Sequence, residues 1–152
     1  MKSKIIHIAS IIAEVLIISM WTYTGLIKIL TFAKWKFLFG NISLIAQYKL
    51  QFLIYVLPVI ELFIPLLFII SVNAKKIGAI FSSVLLVVFN IYIIHKLYIS
   101  DATPCACGGI FEKLSLQNHI FVNSVFILLS IFVYFLSQSH LDKQNIDKES
   151  AI

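Results

Sequence analysis

Hydrophobic residues fall along this chain in four long runs, at about residues 5–30, 52–72, 77–98 and 119–136, with polar residues gathered between them. A helix crosses a hydrocarbon core about 30 Å thick with about 20 residues at about 1.5 Å each, and all four runs approach or exceed that length. The first is long enough to tilt or protrude. The last is near the short limit but carries no charge. The pattern predicts an all-α integral membrane protein, a bundle of four transmembrane helices forming one domain over residues 1–136. The remainder, 137–152, is polar and of mixed charge, and is expected to be a disordered, dispensable tail. No internal repeat is visible.

The connections differ in character. Residues 31–51 are too polar to span and too apolar for an ordinary loop, mixing Phe32, Trp35, Phe37, Phe39 and Tyr48 with Lys34, Lys36 and Lys49. Aromatic rings beside snorkelling lysines mark a segment lying at the membrane interface, and Gly40-Asn41 is expected to break it in two. The second connection is a short hairpin, Asn73-Ala74-Lys75-Lys76. The third, residues 100–118, is the longest polar stretch between runs.

Composition sharpens this picture. Hydrophobic residues make up 61% and charged residues 12% of the chain, against about 45–50% and 25% in soluble domains, so lipid is the solvent that fits. The formal charge of +5 is carried by twelve lysines with no arginine. Without arginine's planar fork and without a basic patch, nucleic acid is not an expected partner; the lipid bilayer is. The N-terminus imitates a signal peptide, yet its apolar run continues to about Leu30, includes Glu14 and ends in no small-x-small site, so it is expected to remain as the first helix. An even number of helices puts both termini on one side. The lysines are nearly balanced, six on the terminal side and five opposite, so the short Lys75-Lys76 hairpin decides, placing the termini inside and the third connection outside.

The third connection carries Thr103-Pro104-Cys105-Ala106-Cys107-Gly108-Gly109, with the only two cysteines of the chain. Pro104 fixes the approach, and the glycines allow backbone angles closed to other residues. A disulfide needs α-carbons within about 7 Å. One intervening residue can meet that condition only under strain, which favours exchange over a permanent staple. A passive staple would also restrain little chain entropy across so small a loop. Chance thiols would not be expected to share one turn-forming motif. Cys105 and Cys107 are therefore candidate redox residues. A metal site is the alternative, since Cys-x-Cys suits Cu(I) or Zn(II) with His119 or His95 as further ligands.

Two carboxylates interrupt apolar runs, Glu14 in the first and Glu61 in the second. An ionised carboxylate facing lipid is costly, so both are expected to face the bundle interior. Pro58 and Pro65 flank Glu61 and should kink its helix, freeing carbonyls. Glu61 fits either a ligand-binding or proton-accepting cavity, or a packing bond to Ser19, Tyr23, Asn90 or Tyr92; for Glu14 the packing bond is the expectation. Lys28 is expected to snorkel to the interface, with a salt bridge to Glu61 as the alternative. Asn90 is expected to act as interhelical glue. Glu61, Lys28 and Asn90 are the candidate cavity residues.

Three motifs together suggest a family. Trp21-Thr22-Tyr23-Thr24-Gly25-Leu26-Ile27-Lys28 resembles the Gly-x-x-Lys element of DoxX-like membrane proteins. Leu57-Pro58-Val59-Ile60-Glu61-Leu62 resembles their Pro-x-x-Glu-Leu element, and Pro104-Cys105-Ala106-Cys107-Gly108-Gly109 resembles the Cys-x-Cys loop of the methylamine-utilisation MauE branch. The resemblance covers about residues 10–136. It implies a four-helix protein of the bacterial inner membrane, with Cys105 and Cys107 as a redox pair serving the maturation of disulfide-rich periplasmic proteins beside a thioredoxin-like partner. Gly108-Gly109 departs from the Gly-Cys-Phe-Gly style of that branch, which leaves the partner and the direction of electron flow open. With one cysteine pair, a full internal relay is not available, so quinone in the bundle or a partner protein must take the electrons. A metal chaperone, or a non-catalytic subunit of a membrane complex, is the alternative from another class.

Overall fold

Segments apolar around most of their circumference become helices in lipid, because a helix satisfies its own backbone N–H and C=O groups where no water can. The computed structural model of the chain describes residues 2–31, 44–99 and 115–149. Within them lie four helices and no strand: α1 (Lys2–Leu30), α2 (Leu44–Ile70), α3 (Val72–Ile99) and α4 (Leu116–Glu149). Three contain stretches long and apolar enough to cross a membrane, Lys4–Leu30, Val72–His95 and Gln117–Ser139, and α2 adds the shorter apolar stretch Tyr55–Ile70. The helices close a ring, α1 on α2, α2 on α3, α3 on α4 and α4 back on α1. Large apolar side chains such as Val15, Ile69, Val88, Phe121 and Leu128 face outward, as lipid contact requires.

The helix ends differ from the hydrophobic pattern at several points. The hairpin shrinks to Ser71 alone, because Ser71 caps α3: its hydroxyl accepts the Ala74 N–H at 3.2 Å and its carbonyl accepts the Lys75 N–H at 2.8 Å. Lys75 and Lys76 thus belong to the first turns of α3. Ser115 caps α4 in the same manner, through Asn118 and His119, so that helix starts before His119. Of the interfacial segment, residues 44–51 are helical and continuous with α2, while 32–43 lie outside the described residues. The tail expected to be disordered from residue 137 is instead helical to Glu149. Residues 137–149 hold no Gly or Pro, and extending an existing helix needs no new nucleus.

One face of each helix forms the core. On α1 it runs Ala13, Ile17, Met20, Trp21, Gly25, Lys28; on α2, Pro58, Glu61, Ile64, Pro65, Phe68; on α3, Gly78, Ala79, Ser82, Leu86, Ile93; on α4, His119, Asn123, Ser130, Val133, Ser137. Trp21 fills the centre. Its indole N–H donates to the Ser82 hydroxyl at 2.8 Å, and Ser82 bonds Ser130 at 2.9 Å, tying α1, α3 and α4 across the ring. Packing outweighs the bond here. Trp21→Phe removes a hydrogen bond of the class that contributes about 0.6–1.7 kcal/mol within membranes, whereas Trp21→Ala opens a large void at about 3–5 kcal/mol. Unfolding in a graded detergent–SDS titration, followed by circular dichroism, should rank the two in that order.

Gly25 and Gly78 set the spacing of α2. A Cβ on Gly25 would stand 2.9 Å from Leu62 and 3.4 Å from the Glu61 Cβ; one on Gly78 would meet Leu67 at 3.0 Å and Phe68 at 3.1 Å. The two helices on either side of α2 thereby approach it closely, as small residues allow in membranes. Gly25→Val should cost about 1–3 kcal/mol by overpacking. The same SDS titration checks it, and an unchanged midpoint would contradict the close α1–α2 contact.

Candidate functional site

Near the end of the bundle where α1 and α3 finish and α4 begins, the core turns polar. Lys28 lies one turn beyond Gly25 on the buried stripe of α1, and the close approach that Gly25 permits brings its ammonium to the Glu61 carboxylate of α2. The two form a buried ion pair through Glu61 Oε1, with Lys28 6% and Glu61 0% exposed. The snorkelling expectation for Lys28 is therefore corrected, and its alternative, the bridge to Glu61, is what forms. The reason is register: position 28 follows Trp21 and Gly25 at spacings of four and three, so it points inward with them. Lys28 Nζ also lies 5.0 Å from the centre of the Phe89 ring, a cation–π contact that supplements the counter-charge.

Glu61 is not fully satisfied by this pairing. Its Oε2 is buried with no hydrogen-bond partner among the described residues. Pro65, four residues on, has no N–H to offer the Glu61 carbonyl, so the same residue presents a second acceptor released from the helix ladder. Of the packing partners expected for Glu61 (Ser19, Tyr23, Asn90 and Tyr92), none takes that place. Asn90 bonds across to α4 instead: its Oδ1 accepts from Asn123 Nδ2 at 3.0 Å, and its Nδ2 donates to Ser124 Oγ at 3.5 Å. The glue role fits Asn90; the structure does not bring it onto Glu61.

His119 is buried one turn above Asn123, on the same face of α4. His95 is exposed. No three His, Cys, Asp or Glu side chains among the described residues are grouped to hold a metal. Cys105 and Cys107 lie outside the described residues, in the connection anchored by Ile99 and Ser115 at this same end of the bundle. The polar stripe of α4 was legible in principle, since His119, Asn123, Ser130 and Ser137 are spaced by four, seven and seven and so share a face. Phe89, an ordinary aromatic in an apolar run, gave no such signal.

The second intramembrane carboxylate sits at the opposite end. Glu14 Oε2 accepts from Lys75 Nζ at 2.7 Å, and its Oε1 accepts from Ser10 Oγ at 3.1 Å. Glu14 therefore packs through polar bonds as expected, but not to Ser19, Tyr23, Asn90 or Tyr92: its partners are Ser10, one turn earlier on its own helix, and Lys75, which the hydrophobic pattern places in the hairpin.

A ring of apolar helices, outward-facing aliphatic side chains and a sealed ion pair define a multi-pass helical membrane protein. Within that class, the family model of methylamine utilisation protein MauE matches residues 6–136. The chain belongs to the MauE family. No curated protein and no solved structure matches it.

Proposed function

We propose that this protein is a membrane accessory of methylamine utilisation that exchanges disulfides with an exported partner through Cys105 and Cys107. The observation that carries the reading is membership of the MauE family over residues 6–136, a span that includes the only two cysteines of the chain. The wider DoxX-like resemblance of the Gly25–Lys28 and Pro58–Glu61 elements is consistent with it. The setting is the bacterial inner membrane, with the Lys75-Lys76 end cytoplasmic and the cysteine connection periplasmic.

In the exchange, the thiolate of one cysteine attacks a disulfide of a thioredoxin-like or cysteine-containing partner. The partner's leaving thiolate takes up a proton, and a mixed disulfide forms. The second cysteine, having lost its proton, attacks that bond. It closes Cys105–Cys107 and releases the partner as a dithiol. Two electrons thus pass from the pair to the partner, and the same steps in reverse oxidise it. Were the sealed Lys28–Glu61 pair to open, its residues would hold a quinone at this end of the bundle, a quinol hydroxyl supplying the donor that Glu61 Oε2 lacks; bound quinone would supply a two-electron acceptor. The metal reading of Cys105, Cys107 and His119 is less favoured, because no group of three His, Cys, Asp or Glu side chains among the described residues could supply its remaining ligands.

The test is trapping in cells. Cys105→Ser and Cys107→Ser each leave one thiol that cannot resolve a mixed disulfide, so rapid acid quench and alkylation should capture a reducible adduct with an exported protein from at least one of them. The variant lacking both sulfurs should give none. Failure of both single variants to form any adduct would sink the proposal.

A further inference from the structure

The end of the bundle opposite the Lys28–Glu61 pair contains a half-open cavity of about 540 Å³ between α1, α3 and α4. That volume is within the range of about 300–1,000 Å³ typical of small-molecule sites. Its depth in the membrane follows from its lining. The lining begins with Ile6 and His7 near the start of the Lys4–Leu30 span, includes Val72 and Lys75 at the start of Val72–His95, and ends with Leu136, Ser137 and Ser139 at the close of Gln117–Ser139. All three spans meet the water boundary here, so the cavity lies at headgroup depth.

Its chemistry is divided. Ile6, Ile11 and Leu136 make one wall apolar, and Ile6 and Ile11 continue onto the outward face of α1. The other wall holds the Glu14–Lys75 pair, whose side chains keep 17% and 23% of their surface and so are not sealed against a ligand. Glu14 uses each carboxylate oxygen once, for Ser10 and for Lys75, which leaves lone pairs for another donor. Lys75 has donors beyond the one given to Glu14. The N-terminus of α3, at Val72, adds partial positive charge beside Lys75. Positive and negative groups stand side by side, with no net charge of their own.

We propose that this cavity is a binding site for a zwitterionic phospholipid with a primary ammonium headgroup. The phosphate lies against Lys75 and the start of α3, the ammonium donates to Glu14, and the acyl chains follow Ile6 and Ile11 down the outside of α1. An anionic lipid such as phosphatidylglycerol would bring its phosphate to Lys75 but offer Glu14 only neutral hydroxyls, without a positive charge. A choline headgroup would bring charge without N–H donors.

The experiment uses the full chain in nanodiscs of equal parts phosphatidylethanolamine, phosphatidylcholine and phosphatidylglycerol, with retained lipid read by native mass spectrometry. The wild-type protein should retain phosphatidylethanolamine about tenfold over either competitor, the discrimination expected of one charge-assisted hydrogen bond. Glu14→Gln should abolish that preference and shift retention toward phosphatidylglycerol, since Lys75 then lacks a compensating charge. Ser139→Trp fills the exposed rim without touching the ion pair, and should lose lipid while its unfolding midpoint stays at the wild-type value. Equal retention of the three lipids by wild type, or an unaltered preference in Glu14→Gln, overturns the assignment. So does displacement of the lipid by water-soluble phosphoethanolamine at the same concentration, which would show that the site reads the free headgroup.

Discussion

Replacing Glu61 with leucine is expected to destabilise the bundle by about 3–5 kcal/mol, the loss typical when one partner of a buried ion pair is removed. The ammonium of Lys28, 6% exposed, would remain beside Phe89 without its counter-charge. Lys28→Met should cost a similar amount, because Glu61 is wholly buried and already has one oxygen without a partner. The double variant, Lys28→Met with Glu61→Leu, should recover most of either loss, since apolar side chains of similar size in place of a buried pair are often neutral or stabilising. SDS titration of the four proteins closes the cycle. Two independent losses that simply add would show that the residues do not act as a pair. The double variant also separates stability from function. If it folds as well as wild type and no longer supports exchange by Cys105 and Cys107, the pair serves the chemistry as well as the packing.

The second large effect concerns the cysteines. Thiol–disulfide exchange that turns over needs two sulfurs, one to attack and one to resolve. Cys105→Ser, Cys107→Ser and the double substitution should therefore each reduce turnover of the exported partner to background, with no further loss on combining them; groups that act as a unit are grossly non-additive in this way. The measurement is the redox state of the partner in cells, read as a gel shift after thiol-specific alkylation. Expression and unfolding midpoints of the three variants should match wild type, because serine nearly matches cysteine in size and both substitutions lie between α3 and α4 rather than within either helix. Two partial losses that multiply in the double variant would show that the cysteines act separately and not as one redox pair.

Much of the architecture follows from the order of residues alone. Four apolar runs become four helices because lipid leaves the backbone no alternative, and a carboxylate in such a run must find an interior partner. Gly25 and Lys28 on α1 and Pro58 and Glu61 on α2 are recognisable as elements. The ends of the helices are less legible: local capping by Ser71 and Ser115 moved two of them, and polar residues 137–149 continue a helix that the apolar residues before them had nucleated.

The residue types and their order determined that this chain occupies a membrane, that it crosses as helices, and that its two thiols stand one residue apart in the connection between the third and fourth. Tertiary structure alone decided where each polar side chain points and what it meets. Lys28 could have reached the surface or the core, and the choice depended on a missing Cβ at Gly25 and a carboxylate on the helix beside it. Lys75 found Glu14 across 61 positions of sequence, as Trp21 found Ser82. Such pairings depend on distances between helices, and those are set by how whole faces pack together, which no single run of residues contains.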